Sequence, residues 1–255
     1  MNQSYARPAN NRSRNSFSTS NNRNRSNSSG GGRRYGGGGN RGGRKQGAYI
    51  DPAKFVNKVA VIAEADVFVP QHAFSDFNLS PELHRNIEAR KYTQPSAIQD
   101  GSIEPILEGK DLIGLANTGT GKTAAFVIPI IERLKSIQGR PSVLIMAPTR
   151  ELANQIDEEF RAFARDMRIY TALCVGGMNM YRQIQNLQRK PQVVIGTPGR
   201  LKDLIQQGAL KLDRAEVLVL DEADQMLDMG FIVDIRFIVD QMPKQRQSLC
   251  FSATI

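Results

Sequence analysis

The chain has 255 residues, and its 34 Lys+Arg against 25 Asp+Glu give a formal net charge of +9. Its hydrophobic share of 40% is below that of an ordinary globular domain and reads as a core diluted by a polar segment. No run approaches the ~20 apolar residues of a bilayer span, and the N-terminus has no apolar leader. Cys174 and Cys250 form no C-x-x-C pair, and His72 and His84 have no ligand-spaced companions, so neither a disulfide framework nor a zinc site is expected. The expectation is a soluble, cytoplasmic protein with reduced cysteines and no membrane contact.

The positive charge is not spread evenly. Residues 1–50 hold nine Arg and one Lys with no acidic residue, which leaves a net charge of −1 for residues 51–255. The first 47 residues are mostly Asn, Ser, Arg and Gly. Such a segment cannot bury enough apolar surface to offset its ordering entropy, so residues 1–47 are read as a disordered tail. Its Gly30–Gly43 stretch resembles an RGG segment, suited to phosphate pairing and base stacking, although a solubilising tail has the same composition. Residues 48–73 read as a linker, in which Val59–Ala63 is compatible with helix or strand.

From Phe74 to the end, short apolar runs alternate with amphipathic stretches of helical length. The runs are Asp111–Leu115, Val143–Met146, Tyr170–Val175, Gln192–Ile195, Val217–Leu220 and Ser248–Phe251. Runs apolar on both faces with helices between them predict a parallel sheet covered on both sides. Residues 74–255 are therefore read as one doubly wound α/β domain.

Two motifs sit at ends of predicted strands. Ala116-Asn117-Thr118-Gly119-Thr120-Gly121-Lys122-Thr123 follows one strand and opens a helix expected to begin near Thr123. This is a P-loop, with Ala116 at the usual first glycine. Gly119 and Gly121 let backbone N–H groups curl around phosphate oxygens, Lys122 neutralises the β- and γ-phosphates, and the Thr123 hydroxyl is a Mg²⁺ ligand. Asp221-Glu222-Ala223-Asp224 follows another strand. Alone it could be an acidic helix start. Beside a P-loop, Asp221 is placed to hold Mg²⁺ and Glu222 to orient and deprotonate a water.

Asp-Glu-Ala-Asp is the name-giving motif of the DEAD-box ATP-dependent RNA helicases, and the chain resembles the first RecA-like domain of that family over residues 74–255. Pro95-Ser96-Ala97-Ile98-Gln99 resembles the Q motif, with Tyr92 in front and Phe74 further upstream; Lys91 stands where the family usually has glycine. The resemblance implies that Gln99 reads the adenine edge and that Tyr92 and Phe74 pack on the base, with Thr118, Gly119, Thr120, Gly121, Lys122 and Thr123 around the phosphates. ATP is the implied nucleotide and Mg²⁺ its metal.

Pro148-Thr149-Arg150, Gly176-Gly177 and Thr197-Pro198-Gly199-Arg200 resemble the family's motif Ia, paired-glycine motif and motif Ib. These imply contacts to the sugar–phosphate backbone of single-stranded RNA. Arg150 and Arg200 could instead be structural arginines paired with carboxylates such as Glu151 or Asp203. Ser252-Ala253-Thr254 resembles motif III, which implies coupling of RNA unwinding to the nucleotide site through Asp224.

The chain stops one residue past that motif, at Ile255, and nothing in it resembles the family's second RecA-like domain or its arginine finger. The expectation is a first motor domain that needs a second RecA-like domain as partner and turns over little ATP alone. Two further readings stand beside an RNA helicase: a non-catalytic, nucleotide-dependent RNA-binding fragment, and a DNA helicase of the same superfamily. Asp224 and the Gln99 motif favour RNA.

Overall fold

The computed structural model describes residues 68–135 and 142–254. The tail read over residues 1–47 and the ambiguous Val59–Ala63 run lie outside the described residues. A single 3-10 turn, Phe74–Asp76, leads into α1 (Pro81–Ala89) and α2 (Ala97–Leu107). Then β1 (Leu112–Leu115), α3 (Lys122–Leu134), β2 (Val143–Met146), α4 (Arg150–Phe163), β3 (Thr171–Cys174) and α5 (Met180–Gln188) follow. The chain continues through β4 (Val193–Gly196), α6 (Pro198–Gln206), β5 (Val217–Asp221), α7 (Ala223–Asp228), α8 (Ile232–Val239) and β6 (Gln247–Ser252).

The six strands form one all-parallel sheet in the order β1-β6-β5-β2-β4-β3. Adjacent residues of a strand point to opposite faces, and here each face meets its own core. Val143 and Ile145 of β2, Val193 and Ile195 of β4, and Val217 and Val219 of β5 pack with α1–α4 around Phe126, Phe160 and Phe163. Their neighbours Leu144, Met146, Val194 and Leu218 pack with α5–α8 around Leu201, Leu204, Met226 and Ile238. Continuous apolar strands are what a doubly covered sheet requires, and the expected doubly wound architecture is observed.

All six expected strands form, with ends displaced by at most a residue. Asp111, read as strand, instead accepts from the Ser248 amide through its carboxylate at 2.6 Å. Gln192, also read as strand, uses its amide oxygen to accept from Tyr170 N. The helix expected near Thr123 begins at Lys122, with Gly121 as its N-cap at φ 88°. Two residues read as linker are pinned to α2: Gln71 N donates to Asp100 at 2.7 Å, and His72 Nδ1 lies 2.7 Å from the other carboxylate oxygen. Asp100 itself is buried, so these contacts fix the chain just ahead of Phe74.

The parallel arrangement puts every strand's C-terminal end on one edge of the sheet. The loops that leave β1, β2, β3, β4, β5 and β6 there carry the P-loop, motif Ia, the glycine pair, motif Ib, the acidic motif and motif III respectively. In open α/β sheets this is the edge where ligands bind.

Candidate nucleotide and nucleic-acid site

The P-loop is held from two sides. Within it, the Thr120 hydroxyl donates to Asn117 O at 2.7 Å, and Gly119 and Gly121 take left-handed φ values of 83° and 88°. From outside, the Ser96 hydroxyl donates to Thr120 O at 2.7 Å and Gln99 Nε2 donates to Gly121 O at 3.1 Å. Gln99 Oε1 also accepts from Ser96 N, closing a capping box at the start of α2. A Cβ at position 121 would collide with the Gln99 amide, so glycine is needed there for space as well as for φ.

These bonds change the reading of Gln99. The side chain is 2% exposed and braces the loop, a role its position in the sequence did not reveal. One N–H and one lone pair remain for a ligand. Phe74 departs further from expectation. It is 6% exposed and meets Phe77 and Tyr92 edge-on at 6.3 and 6.1 Å, so it backs Tyr92 instead of lining the cavity. Tyr92, Gln99, Gly119, Thr120 and Gly121 do line a cavity of about 540 Å³, together with Phe68 and Arg90. Sequence reasoning missed the last two: Phe68 sits in the segment read as linker, and Arg90 stands two residues before Tyr92. Lys91, at the family's usual glycine, has φ 61°.

At the foot of the loop Lys122 is 6% exposed, and its Nζ, shut off from solvent, has no hydrogen-bond partner among the described residues. A buried ammonium without a partner is costly, and an anion bound in the loop would satisfy it. Asp221, the last residue of β5, is 2% exposed. Burial pushes its carboxyl up to about 6; the Lys122 charge pulls the other way and Glu222 adds to the rise. Its Oδ1 accepts from Glu222 N at 3.0 Å. Glu222 caps α7 in a left-handed conformation, φ 52° and ψ 53°, which is uncommon for a residue with a Cβ and concentrates at functional sites. Thr123 follows Lys122 in the first turn of α3 and borders a neighbouring cavity of about 320 Å³ with Arg90, Gln155, Glu158 and Glu159. No group of three or more metal-ligating His, Cys, Asp or Glu side chains occurs among the described residues. A Thr123 hydroxyl plus the Asp221 carboxylate suits Mg²⁺, which keeps waters and takes phosphate oxygens to complete its shell.

Asp224 is tied to the end of β6. Its Oδ2 accepts from Ala253 N at 3.2 Å, Thr254 N at 3.0 Å and the Thr254 hydroxyl at 2.8 Å, while the Ser252 hydroxyl donates to Thr254 O at 2.6 Å. Burial opposes the charge on Asp224, but the hydrogen bonds it accepts, led by that from the Thr254 hydroxyl, outweigh it and hold the carboxyl far below the ordinary range. The P-loop joins the same cluster, since Ala116 N donates to Ser252 O at 3.0 Å.

Along the same edge, Pro148, Thr149, Arg150, Gly176, Thr197, Gly199 and Arg200 line one groove of about 550 Å³. Gly177 and Pro198 do not line it. Pro198 is buried as the first residue of α6. Gly177 lies beneath Arg150, with φ 74° and no room for a Cβ beside that guanidinium. Thr149 caps α4, its hydroxyl accepting from Leu152 N at 3.2 Å while its own O–H remains to donate. Thr197 caps α6 through backbone alone, which leaves its hydroxyl available. Arg200 donates to Met178 O at 3.2 Å. Among the described residues neither Arg150 nor Arg200 pairs with Glu151 or Asp203, although both carboxylates line the groove. Two arginines against two carboxylates make the groove nearly neutral, and its hydroxyls and helix N-terminal amides are groups of the kind that suit phosphate oxygens. Met229 and Phe231, which sequence reasoning did not single out, form an apolar part of the wall.

A six-stranded parallel sheet whose C-terminal edge carries a glycine-lined loop, paired acidic residues and an adjoining groove defines a RecA-like α/β domain. The family model of the DEAD/DEAH box helicase matches residues 96–255. Similar proteins include the ATP-dependent RNA helicase CshA of Listeria monocytogenes, 47% identical over 182 residues. That match covers 71% of this chain and 35% of the relative. The CshA of Limosilactobacillus reuteri is 46% identical over the same length, with 37% of the relative covered. The crystal structure of a DEAD box protein from the hyperthermophile Methanococcus jannaschii superposes with a TM-score of 0.69 at 38% identity. That superposition covers 72% of this chain and 50% of the other. The chain belongs to the DEAD/DEAH box helicase family, and it spans about a third of the length of the curated relatives it matches.

Proposed function

We propose that this chain is the first motor domain of an ATP-dependent RNA helicase. It binds ATP with Mg²⁺ and the backbone of single-stranded RNA, and it hydrolyses ATP to open short duplexes when joined to a second RecA-like domain. The observation that carries the reading is the buried Lys122 Nζ, without a hydrogen-bond partner among the described residues, at the foot of a glycine-lined loop after β1, with Asp221 and Glu222 at the end of β5, two strands along the same sheet edge. Relatives of this chain are named ATP-dependent RNA helicases.

In this reading the amides of residues 118–121 cradle the triphosphate and Lys122 meets its β- and γ-oxygens. Tyr92 packs on the base while the spare N–H and lone pair of Gln99 meet the adenine edge. Mg²⁺, held by Thr123 and Asp221, neutralises phosphate charge when bound. Glu222 accepts the proton of the attacking water at its carboxylate. Asp224 transmits the state of that site to Thr254 and, through it, to Ser252, which meets the P-loop at Ala116. RNA lies along the groove with phosphates on the N-termini of α4 and α6. Binding of ATP and RNA across two domains closes the cleft and bends the strand, and product release reopens it.

The chain alone binds both ligands but turns over poorly, because an arginine finger contributes ~10³–10⁵ in rate where the phosphoryl-transfer site is shared between domains. The test is the ATPase rate of the 255-residue chain with and without single-stranded RNA, with Lys122→Ala as the blank. A rate at the blank in both conditions fits a half-site awaiting its partner domain, whereas strong RNA-stimulated turnover would mean this half is complete. Competition between matched RNA and DNA strands separates the RNA reading from a DNA helicase, since the 2′-hydroxyl is the main chemical handle in a backbone-reading groove.

A further inference from the structure

Arg90 ends α1 and borders two cavities at once. One is the cavity it shares with Tyr92, Gln99 and Gly119–Gly121; the other lies beneath it, beside Thr123 and Glu159. Its guanidinium sits 5.1 Å over the ring of Phe163, and its Nη2 is 3.6 Å from Glu159 Oε1. Glu159 and Phe163 are four residues apart on α4, so they share one face of that helix. The Tyr92 ring meets the same Phe163 ring at 5.4 Å, near edge-on at 66°. Arg90 and Tyr92 therefore rest on a common aromatic platform supplied by α4.

Glu159 has a further peculiarity: its Oε2 is closed off from solvent and forms no hydrogen bond among the described residues. Burial pushes the Glu159 carboxyl up and the Arg90 charge draws it down. Replacing one charge would leave the other half-buried and without its counter-charge, so the pair acts as a unit. The 3.6 Å separation marks a charge contact, which orients Arg90 without consuming its donors in a tight bidentate pair.

We propose that Arg90 is the positioning residue of the base pocket: seated on Phe163 and oriented by Glu159, it holds the Tyr92 ring at the angle against which the nucleotide base packs. The inference deepens the nucleotide reading and rests on it. It also gives α4 two duties. Thr149 and Arg150 at its start line the groove, and Glu159 and Phe163 about three turns later set the base pocket. Arg90 also shares its two cavities with Gly119–Gly121 and Thr123, so a probe that carries phosphates without a base separates an effect on the base from one on the phosphates.

The test compares two probes on the full 255-residue chain: ATP, and inorganic tripolyphosphate, which keeps the phosphates and lacks the base. Arg90→Ala is expected to weaken ATP binding on the order of tenfold, the scale of a lost half-buried cation–π and charge contact. Glu159→Gln, which keeps shape and removes charge, weakens it about threefold. Arg90→Lys restores most of the loss, and tripolyphosphate affinity changes less than about twofold in every variant. Equal ATP affinity for Arg90→Ala and the native chain would overturn the proposal, as would parallel losses for ATP and tripolyphosphate, which mark a general structural defect. If the native chain bound neither probe, or Lys122→Ala changed neither, the nucleotide reading itself would fall and this inference with it.

Discussion

The carboxylate of Asp224 accepts from both the amide and the hydroxyl of Thr254, at 3.0 and 2.8 Å, across a gap of thirty residues. The amide bond survives replacement by valine, whereas the hydroxyl bond does not. Thr254→Val should cost about 1 kcal/mol, at the low end for a hydrogen bond to a charged group because the pair is partly exposed. It should also raise the Asp224 carboxyl from its depressed value, visible in a carboxyl NMR titration. The sign follows from that depression. Asp224 contributes stability above the ordinary carboxylate range and loses it as pH falls through the folded value. The variant should therefore differ from the native chain at pH 7 and converge with it in strong acid.

Asp221 works in the opposite direction. Burial lifts its carboxyl from 3.8 to about 6, so the folded state binds the proton more tightly than the unfolded chain does. Stability from this group is complete below about pH 4 and is lost as pH rises toward 6. A shift of about two units corresponds to at most ~3 kcal/mol. Asp221→Asn should remove that loss and raise the melting temperature at pH 7.5 by roughly 5 °C while abolishing Mg²⁺-dependent nucleotide binding. Parallel melting-temperature curves for the two proteins between pH 4 and 7 would contradict the assignment.

Gly177 and Arg150 occupy one space. A methyl at Gly177 would collide with the guanidinium, and φ 74° disfavours any side chain there. Gly177→Ala should lower single-stranded RNA affinity several-fold and leave ATP affinity unchanged. In an Arg150→Ala background the steric part disappears and only the backbone strain of ~1 kcal/mol remains, so the double-mutant cycle should be non-additive. Because the groove is nearly neutral, salt dependence is informative as well. Arg150→Ala and Arg200→Ala should each reduce the slope of log K against log salt by about 0.7 if they contact phosphates, and by nothing if they are purely structural.

Lys91 carries left-handed backbone at φ 61°, where a Cβ is strained and glycine is not. Lys91→Gly should stabilise the fold by about 0.5–1 kcal/mol, read as a rise of 2–4 °C in melting temperature. The position is exposed and borders the base-side cavity, so ATP affinity reports whether relaxing the turn also moves Tyr92.

The alternation of apolar runs and amphipathic stretches made the doubly wound sheet legible, because a strand buried on both faces leaves no polar period to read. The P-loop and acidic motif were legible for a chemical reason: few other residue sets at strand ends suit phosphate and Mg²⁺. What stayed hidden depends on packing between distant segments. The family resemblance put Phe74 on the base, yet the aromatic chain through Tyr92 and Phe163 draws it into the core. Gln99 gave no sign that it braces Gly121. Phe68 sits in a stretch whose composition reads as linker, and Arg90 gains its place only through Glu159 and Phe163, some seventy residues away.

The most direct test of the account is a titration of ATP with Mg²⁺ into the 255-residue chain and into Lys122→Ala, with GTP as the competitor. Saturable ATP binding is expected, with a preference for ATP over GTP from the Gln99 amide and a loss of roughly a hundredfold in Lys122→Ala, the scale of one buried charge-assisted phosphate contact. Equal affinity for ATP in the two proteins would contradict it, because the buried Lys122 ammonium would then be meeting something other than a nucleotide phosphate.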